Sequence, residues 1–247
     1  MPTLPDVLAK LSFLTTTPAI VGLVITASLI VVISDWRFSL AALLGQYVLV
    51  GLLLTRLIRP QVAVIKVLIG ALVCVVLYLT ARLVSESSES LPLEPEDGDF
   101  PLKVGGGRGG EGVDGASRRL APQTPKTGGE TSPADFAFRL LAALFVGLAV
   151  YSLSKRYPLP EVPSGIGFVC YWLASQGLLA LILAEGPLKA GMGLLTFITG
   201  FELFFSVLER SLSVVGFLGI ANFLIALAVA YLTGASEAES AAGEEER

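Results

Sequence analysis

Residues 61–84 read QVAVIKVLIGALVCVVLYLTARLV. Between Gln61 and Arg82 this run carries a single charge, Lys66. A helix needs about 20 apolar residues to cross ~30 Å of hydrocarbon, and the run is long enough. Its apolar positions are continuous rather than alternating, which argues against a strand of a transmembrane barrel. It reads as a membrane-spanning α-helix. Outward from it the same pattern recurs at 18–34, 38–57, 136–154, 164–184, 188–208 and 212–232. Asp35-Trp36-Arg37, Arg59-Pro60, Tyr157-Pro158-Leu159-Pro160, Glu185-Gly186-Pro187 and Glu209-Arg210 punctuate the runs. Connectors this short force neighbouring helices to run in opposite directions. The predicted fold is all-α: a polytopic membrane protein with seven transmembrane helices in an antiparallel bundle.

Composition agrees. Of the 247 residues, 53% are hydrophobic and 15% charged, against roughly a quarter charged in soluble domains. Disorder of the whole chain is excluded by the same numbers. There is no histidine, which removes imidazole metal sites, Ser-His or Cys-His catalysis and histidine pH switching. The two cysteines, Cys74 and Cys170, sit inside apolar runs and read as small hydrophobes, not as a disulfide framework or metal ligands. No metal site, cofactor or catalytic residue is expected. A net charge of −4 argues against nucleic acid, which calls for a clustered basic face.

The runs group into a three-helix segment, 1–84, and a four-helix segment, 135–232. Between them, 85–134 holds ten glycines and six prolines with few aliphatic clusters, and reads as a disordered loop. Its Gly105-Gly106-Gly107-Arg108-Gly109-Gly110 matches GxGxxG formally. That pattern binds nucleotide only between a strand and a helix N-terminus, and neither is expected there. Residues 233–247 are acidic and read as a disordered, solvated tail. The first run lacks the basic flank and Ala-x-Ala site of a cleaved signal peptide, so it reads as a retained helix. Basic residues in the short connectors favour a cytoplasmic N-terminus and an external C-terminus, in the inner (plasma) membrane.

Charges inside a bilayer are expensive, so those within the spans are informative. Arg56 and Arg139 lie close enough to helix ends to snorkel, and read as interface anchors. Glu202 lies roughly 10 Å from its helix end at 1.5 Å per residue, too deep for a short side chain to reach water. Lys189, Thr196, Thr199, Glu202, Ser206 and Glu209 fall on one slanted stripe of that helix. A stripe of hydroxyls around a carboxylate suits a proton-conducting seam; it also suits a buried hydrogen-bond network. Lys66 lies at a similar depth on the same membrane side, where it could either snorkel to the interface or pair with Glu202 and load or unload a proton. Gln46, Gln176 and Asn222 are neutral groups that could continue the network or serve as helix-packing contacts.

At these residues the chain resembles a known family. The run GLLTFITGFELFFSV at 193–207 resembles the middle helix of the K subunit of respiratory complex I. The larger arrangement is similar to the E component of hydrogenase-4-type membrane complexes. That family has about seven helices, with a Gln in the second, a Lys early in the third and a Glu in the sixth. Here those positions read LLGQYVLV at 43–50, VIKVLI at 64–69 and TGFE at 199–202. The resemblance covers 18–84 and 164–232 but not the Gly/Pro-rich stretch. Asn222 departs from it, standing where some relatives carry an acidic residue.

The resemblance implies a small membrane subunit of a proton- or ion-translocating complex related to complex I, membrane hydrogenases or multisubunit antiporters. Glu202 would be the proton carrier, Lys66 its charge partner and Gln46 a hydrogen-bonding support, with Thr196, Thr199, Ser206, Glu209 and Asn222 lining the seam. Its partners would be antiporter-like membrane subunits and the lipid bilayer. It would hold no redox centre, and any oxidoreductase activity would belong to the complex. Two other readings compete: a non-catalytic membrane scaffold and a stand-alone secondary transporter for a small solute. No internal repeat or mid-span helix break favours the transporter.

Overall fold

A computed structural model describes residues 4–57, 60–89, 133–160, 162–208 and 212–245. Among them are seven α-helices and no strand. They are α1 (Leu4–Val32), α2 (Trp36–Leu57), α3 (Pro60–Glu89), α4 (Pro133–Arg156), α5 (Ser164–Ile182), α6 (Pro187–Leu208) and α7 (Leu212–Glu245). Three of them open on proline, whose missing N–H would be unpaired at that position in any case. Six, α2 to α7, are long and apolar enough to cross a membrane. In α1 the corresponding apolar stretch among the described side chains is Thr17–Val32.

The helix ends differ from the sequence reading chiefly in three places. Helix α1 starts at Leu4, fourteen residues before the run expected at 18–34. Helix α7 runs on to Glu245, so most of the stretch read as a disordered acidic tail is helical. Its alanines and glutamates are strong helix formers, and a helix already nucleated in the apolar run propagates into them at little cost. Helix α3 likewise continues to Glu89, past the expected start of the loop. Arg82 Nε donates to Glu86 Oε1 at 2.8 Å one turn on, and Ser85 Oγ donates to Ala81 O at 2.7 Å. Residues 90–132, nearly all of the expected loop, lie outside the described residues.

The helices pack as an ordered set. Helix α1 lies against α2, α4 and α5; α2 continues to α3 and α6; α3 and α6 both meet α7. The closest pair is α5 with α6, and glycine makes it possible. A Cβ on Gly193 would lie 2.7 Å from Leu181 N, and one on Gly200 would lie 2.8 Å from Ala174 N. Gly177 faces the backbone of Phe197 from the other side. Backbone on backbone at this distance requires small residues, as at helix interfaces in membranes generally.

Two apolar clusters fill the interior. One gathers Leu43, Tyr47, Val73, Leu77, Met192 and Leu195; the other gathers Leu23, Val50, Leu54, Val169, Leu173 and Leu203. The outside is equally apolar. Leu144, Phe145 and Leu148 of α4, Leu68 of α3, and Phe217 and Ile220 of α7 are all exposed. In water such continuous faces would be aggregation sites; in a bilayer they meet lipid. The fold is that of a multi-pass membrane protein.

Candidate ion-transfer site

The site is built where α2, α3, α6 and α7 approach one another. Lys66 of α3 and Glu202 of α6 form an ion pair, and the two residues are 4% and 3% exposed. Each lies about two turns from a helix end: Lys66 follows the start of α3 at Pro60, and Glu202 precedes the end of α6 at Leu208. From α7, Asn222 Nδ2 donates to both carboxylate oxygens, at 3.0 Å to Oε1 and 3.1 Å to Oε2. From α2, the ring of Tyr47 lies under the ammonium, with Nζ 5.5 Å from its centroid. Four helices thus deliver one acid, one base, one amide and one aromatic face.

Local sequence explains the placement. Gly70 lies one turn beyond Lys66 and packs on the Tyr47 ring, where any side chain would collide. The missing Cβ lets α2 carry its tyrosine up to α3. On α6, Gly200 lets α5 close on one side, while Glu202 sits on the side that meets α7. The tyrosine hydroxyl faces Thr199.

The electrostatics follow from burial. Either charge alone would be costly in a low-dielectric interior, and the pair is tolerable because it is neutral overall and hydrogen-bonded. The carboxylate is well served, by an ammonium and an amide. The cation has less: among the described residues, besides Glu202, Nζ meets the π face of Tyr47 and no further hydrogen-bond acceptor. A proton moved from Lys66 to Glu202 leaves an amine and a carboxylic acid. Net charge is unchanged, so no isolated charge appears in the interior. That step is what the arrangement can do chemically.

The residues singled out in the sequence divide into three groups. Lys66, Glu202 and Asn222 come together as described. Thr196, Thr199 and Ser206 are buried on the expected stripe, but each hydroxyl donates along its own helix. Their acceptors are Met192 O at 2.8 Å, Leu195 O at 2.7 Å and Glu202 O at 2.7 Å. Gln46 is fully buried, yet neither its Nε2 nor its Oε1 has a hydrogen-bond partner among the described residues. Glu209 lies outside the described residues, as does the side chain of Arg56. Gln176 serves packing, its Nε2 donating to Ala143 O of α4 at 3.1 Å. Both cysteines are free and buried.

Two features escaped the sequence reading. Tyr47 was hidden beside the more conspicuous Gln46, and only its place one residue further round α2 would have flagged it. Arg139, read as a snorkelling anchor, is 7% exposed and ion-paired with Glu185 of the α5–α6 connector. Close by, Lys189 Nζ donates to Ser34 Oγ at 3.4 Å. These contacts tie α4, α6 and the α1–α2 connector together at the end of the bundle away from Glu202. Among the described residues, no group of three or more His, Cys, Asp or Glu side chains comes together to hold a metal. No family model, curated protein or solved structure matches the chain.

Proposed function

We propose that this chain is a small multi-pass membrane subunit that carries a proton or small cation through the bilayer at the Lys66–Glu202 pair. Its host would be a complex related to complex I, membrane hydrogenases or multisubunit antiporters. The observation that carries the proposal is the pair itself: an acid and a base, both buried, at two of the positions on which the resemblance rests. Intramembrane ionisable residues in partnered, lipid-shielded positions mark ion pathways more than packing. Among the described residues the site holds one carboxylate and no metal-binding cluster, and suits movement of a single small ion better than chemistry on a bound substrate.

The same proposal has α1 as a seventh span, with the N-terminus cytoplasmic and the C-terminus external in the plasma membrane. Alternation of direction is supported by paired contacts. Gly45 meets Thr26 while Gly22 meets Leu49, and Gly193 meets Leu181 while Gly200 meets Ala174. Contacts whose numbers rise in one helix as they fall in the next belong to antiparallel neighbours.

In the working cycle Glu202 holds the moving proton, Lys66 compensates its charge, and Tyr47 offers the ammonium a second resting place when the carboxylate is neutralised. Gln46 is a buried amide with spare donors and acceptors in the helix that carries Tyr47. One observation favours a scaffold instead: the hydroxyls of Thr196, Thr199 and Ser206 all bond to α6 itself and pass nothing between side chains. Isolation in mild detergent tests the subunit assignment. Recovery with larger membrane subunits supports it, whereas a lone chain that binds a solute indicates a transporter. Replacement Glu202→Gln separates ion carrier from scaffold, because a scaffold keeps ion movement intact.

A further inference from the structure

Asn222 is the only asparagine in the chain, and it is fully buried against the acid. Its two ends are unequally served. Nδ2 donates to both oxygens of Glu202, whereas Oδ1 meets no hydrogen-bond donor among the described residues. A buried carbonyl oxygen without a partner is unfavourable, and an apolar side chain of similar size would have avoided it. An amide with one free end therefore needs a reason.

The chemistry of the neighbour supplies one. An ionised carboxylate only accepts, so it must meet the NH₂ end of an amide. A protonated carboxyl also donates, and its O–H needs an acceptor. The two ends of a primary amide are nearly equal in size, so half a turn about the Cβ–Cγ bond exchanges them without moving the helices. At the far end Oδ1 meets no donor, so the turn breaks no bond there. The near-equal distances to Oε1 and Oε2 also leave either oxygen free to take the proton.

We propose that Asn222 is a positioning residue that follows the protonation of Glu202, donating to the carboxylate through Nδ2 and, after reversal of its amide, accepting from the carboxylic acid through Oδ1. The proton balance is closed. As acid is added Glu202 takes one proton from water, Lys66 keeps its own over the Tyr47 ring, and two N–H···O contacts give way to one O–H···O contact. Among the described residues, the other titratable groups around the site are Tyr47 of α2 under the ammonium, Cys74 of α3 beside Tyr47, and Cys170 of α5, whose backbone carbonyl lies against Gly200. An aspartate at 222 could not play this part, since when ionised it has no donor for the carboxylate. The inference rests on the reading of Glu202 as a group that gains and loses a proton.

Because the asparagine is unique, ¹³C at the asparagine side-chain carbonyl labels one site. Infrared difference spectra of the labelled full-length chain in lipid vesicles, titrated with acid, read both partners at once. The expected result is a carboxylic-acid band that is absent in Glu202→Gln, together with a shift of the labelled amide band at the same midpoint. The amide shift should vanish in Glu202→Gln. An acid band with a silent amide would make Asn222 a fixed strut and overturn this inference while leaving the proton-carrying reading in place. An amide shift that persists in Glu202→Gln would overturn it too. Absence of a Glu202 acid band wherever the protein stays folded would overturn both.

Discussion

Lys66 and Glu202 are not equivalent members of their pair. Glu202 keeps two hydrogen bonds from Asn222 if Lys66 is removed, yet a carboxylate held by one amide remains a buried, uncompensated charge. Breaking such a pair from one side costs about 3–5 kcal/mol, while replacing both members with apolar residues is often close to neutral. Lys66→Met should therefore destabilise the chain strongly, and Lys66→Met with Glu202→Leu should be much milder. Denaturant titration in mixed micelles checks this, and equal losses for the single and double variants would show that the charges do not interact. Of the site, the sequence disclosed the two charges, because a charge in an apolar run is visible without a fold. It could not disclose that Asn222 completes the acid, or that Tyr47 underlies the base. Both depend on which helices meet and in what rotation. The stripe Thr196, Thr199 and Ser206 was legible as a face, but hydroxyls that bond their own backbone look the same in sequence as hydroxyls that bond across helices.

At the scale of elements, the α5–α6 seam carries the most specific demand in the fold. Gly177, Gly193 and Gly200 each lie against the opposite backbone, where nothing can yield by a rotamer change. Gly193→Ala and Gly200→Ala should each cost about 1–3 kcal/mol through overpacking. Gly216, on α7, meets nothing within 4 Å of where its Cβ would lie. Gly216→Ala should be neutral or stabilising by up to about 1 kcal/mol from helix propensity. Thermal unfolding of the variants in detergent checks the contrast, and equal effects at the three sites would mean that α5 and α6 are not in backbone contact. Helix positions were readable because apolar runs of this length have few alternatives. Helix ends were less so: the α7 extension to Glu245 is a propensity effect that hydropathy does not register. The start of α6 was read one residue late, at Leu188, since proline punctuates both loops and first turns and Pro187 was placed in the connector.

At the scale of the molecule, the proposed topology has α5, α6 and α7 cross three times between the α4–α5 connector and the C-terminal part of α7, which would then lie on opposite sides of the membrane. Lys155 and Ala238 are exposed, and the two native cysteines are buried. In intact cells, a membrane-impermeant thiol reagent should label Ala238→Cys and spare Lys155→Cys. Labelling of both from outside would contradict three crossings by α5, α6 and α7. The property that matters most at this scale is whether the buried pair moves an ion. The most direct measurement is ion translocation by membrane vesicles containing the assembled complex, compared for the native chain, Glu202→Gln and Glu202→Asp. With subunit content unchanged, Gln should reduce translocation at least tenfold and Asp should retain part of it, because a shorter carboxylate still accepts a proton. Full translocation with Gln at this position would contradict the account and leave the Lys66–Glu202 pair as a structural contact between α3 and α6.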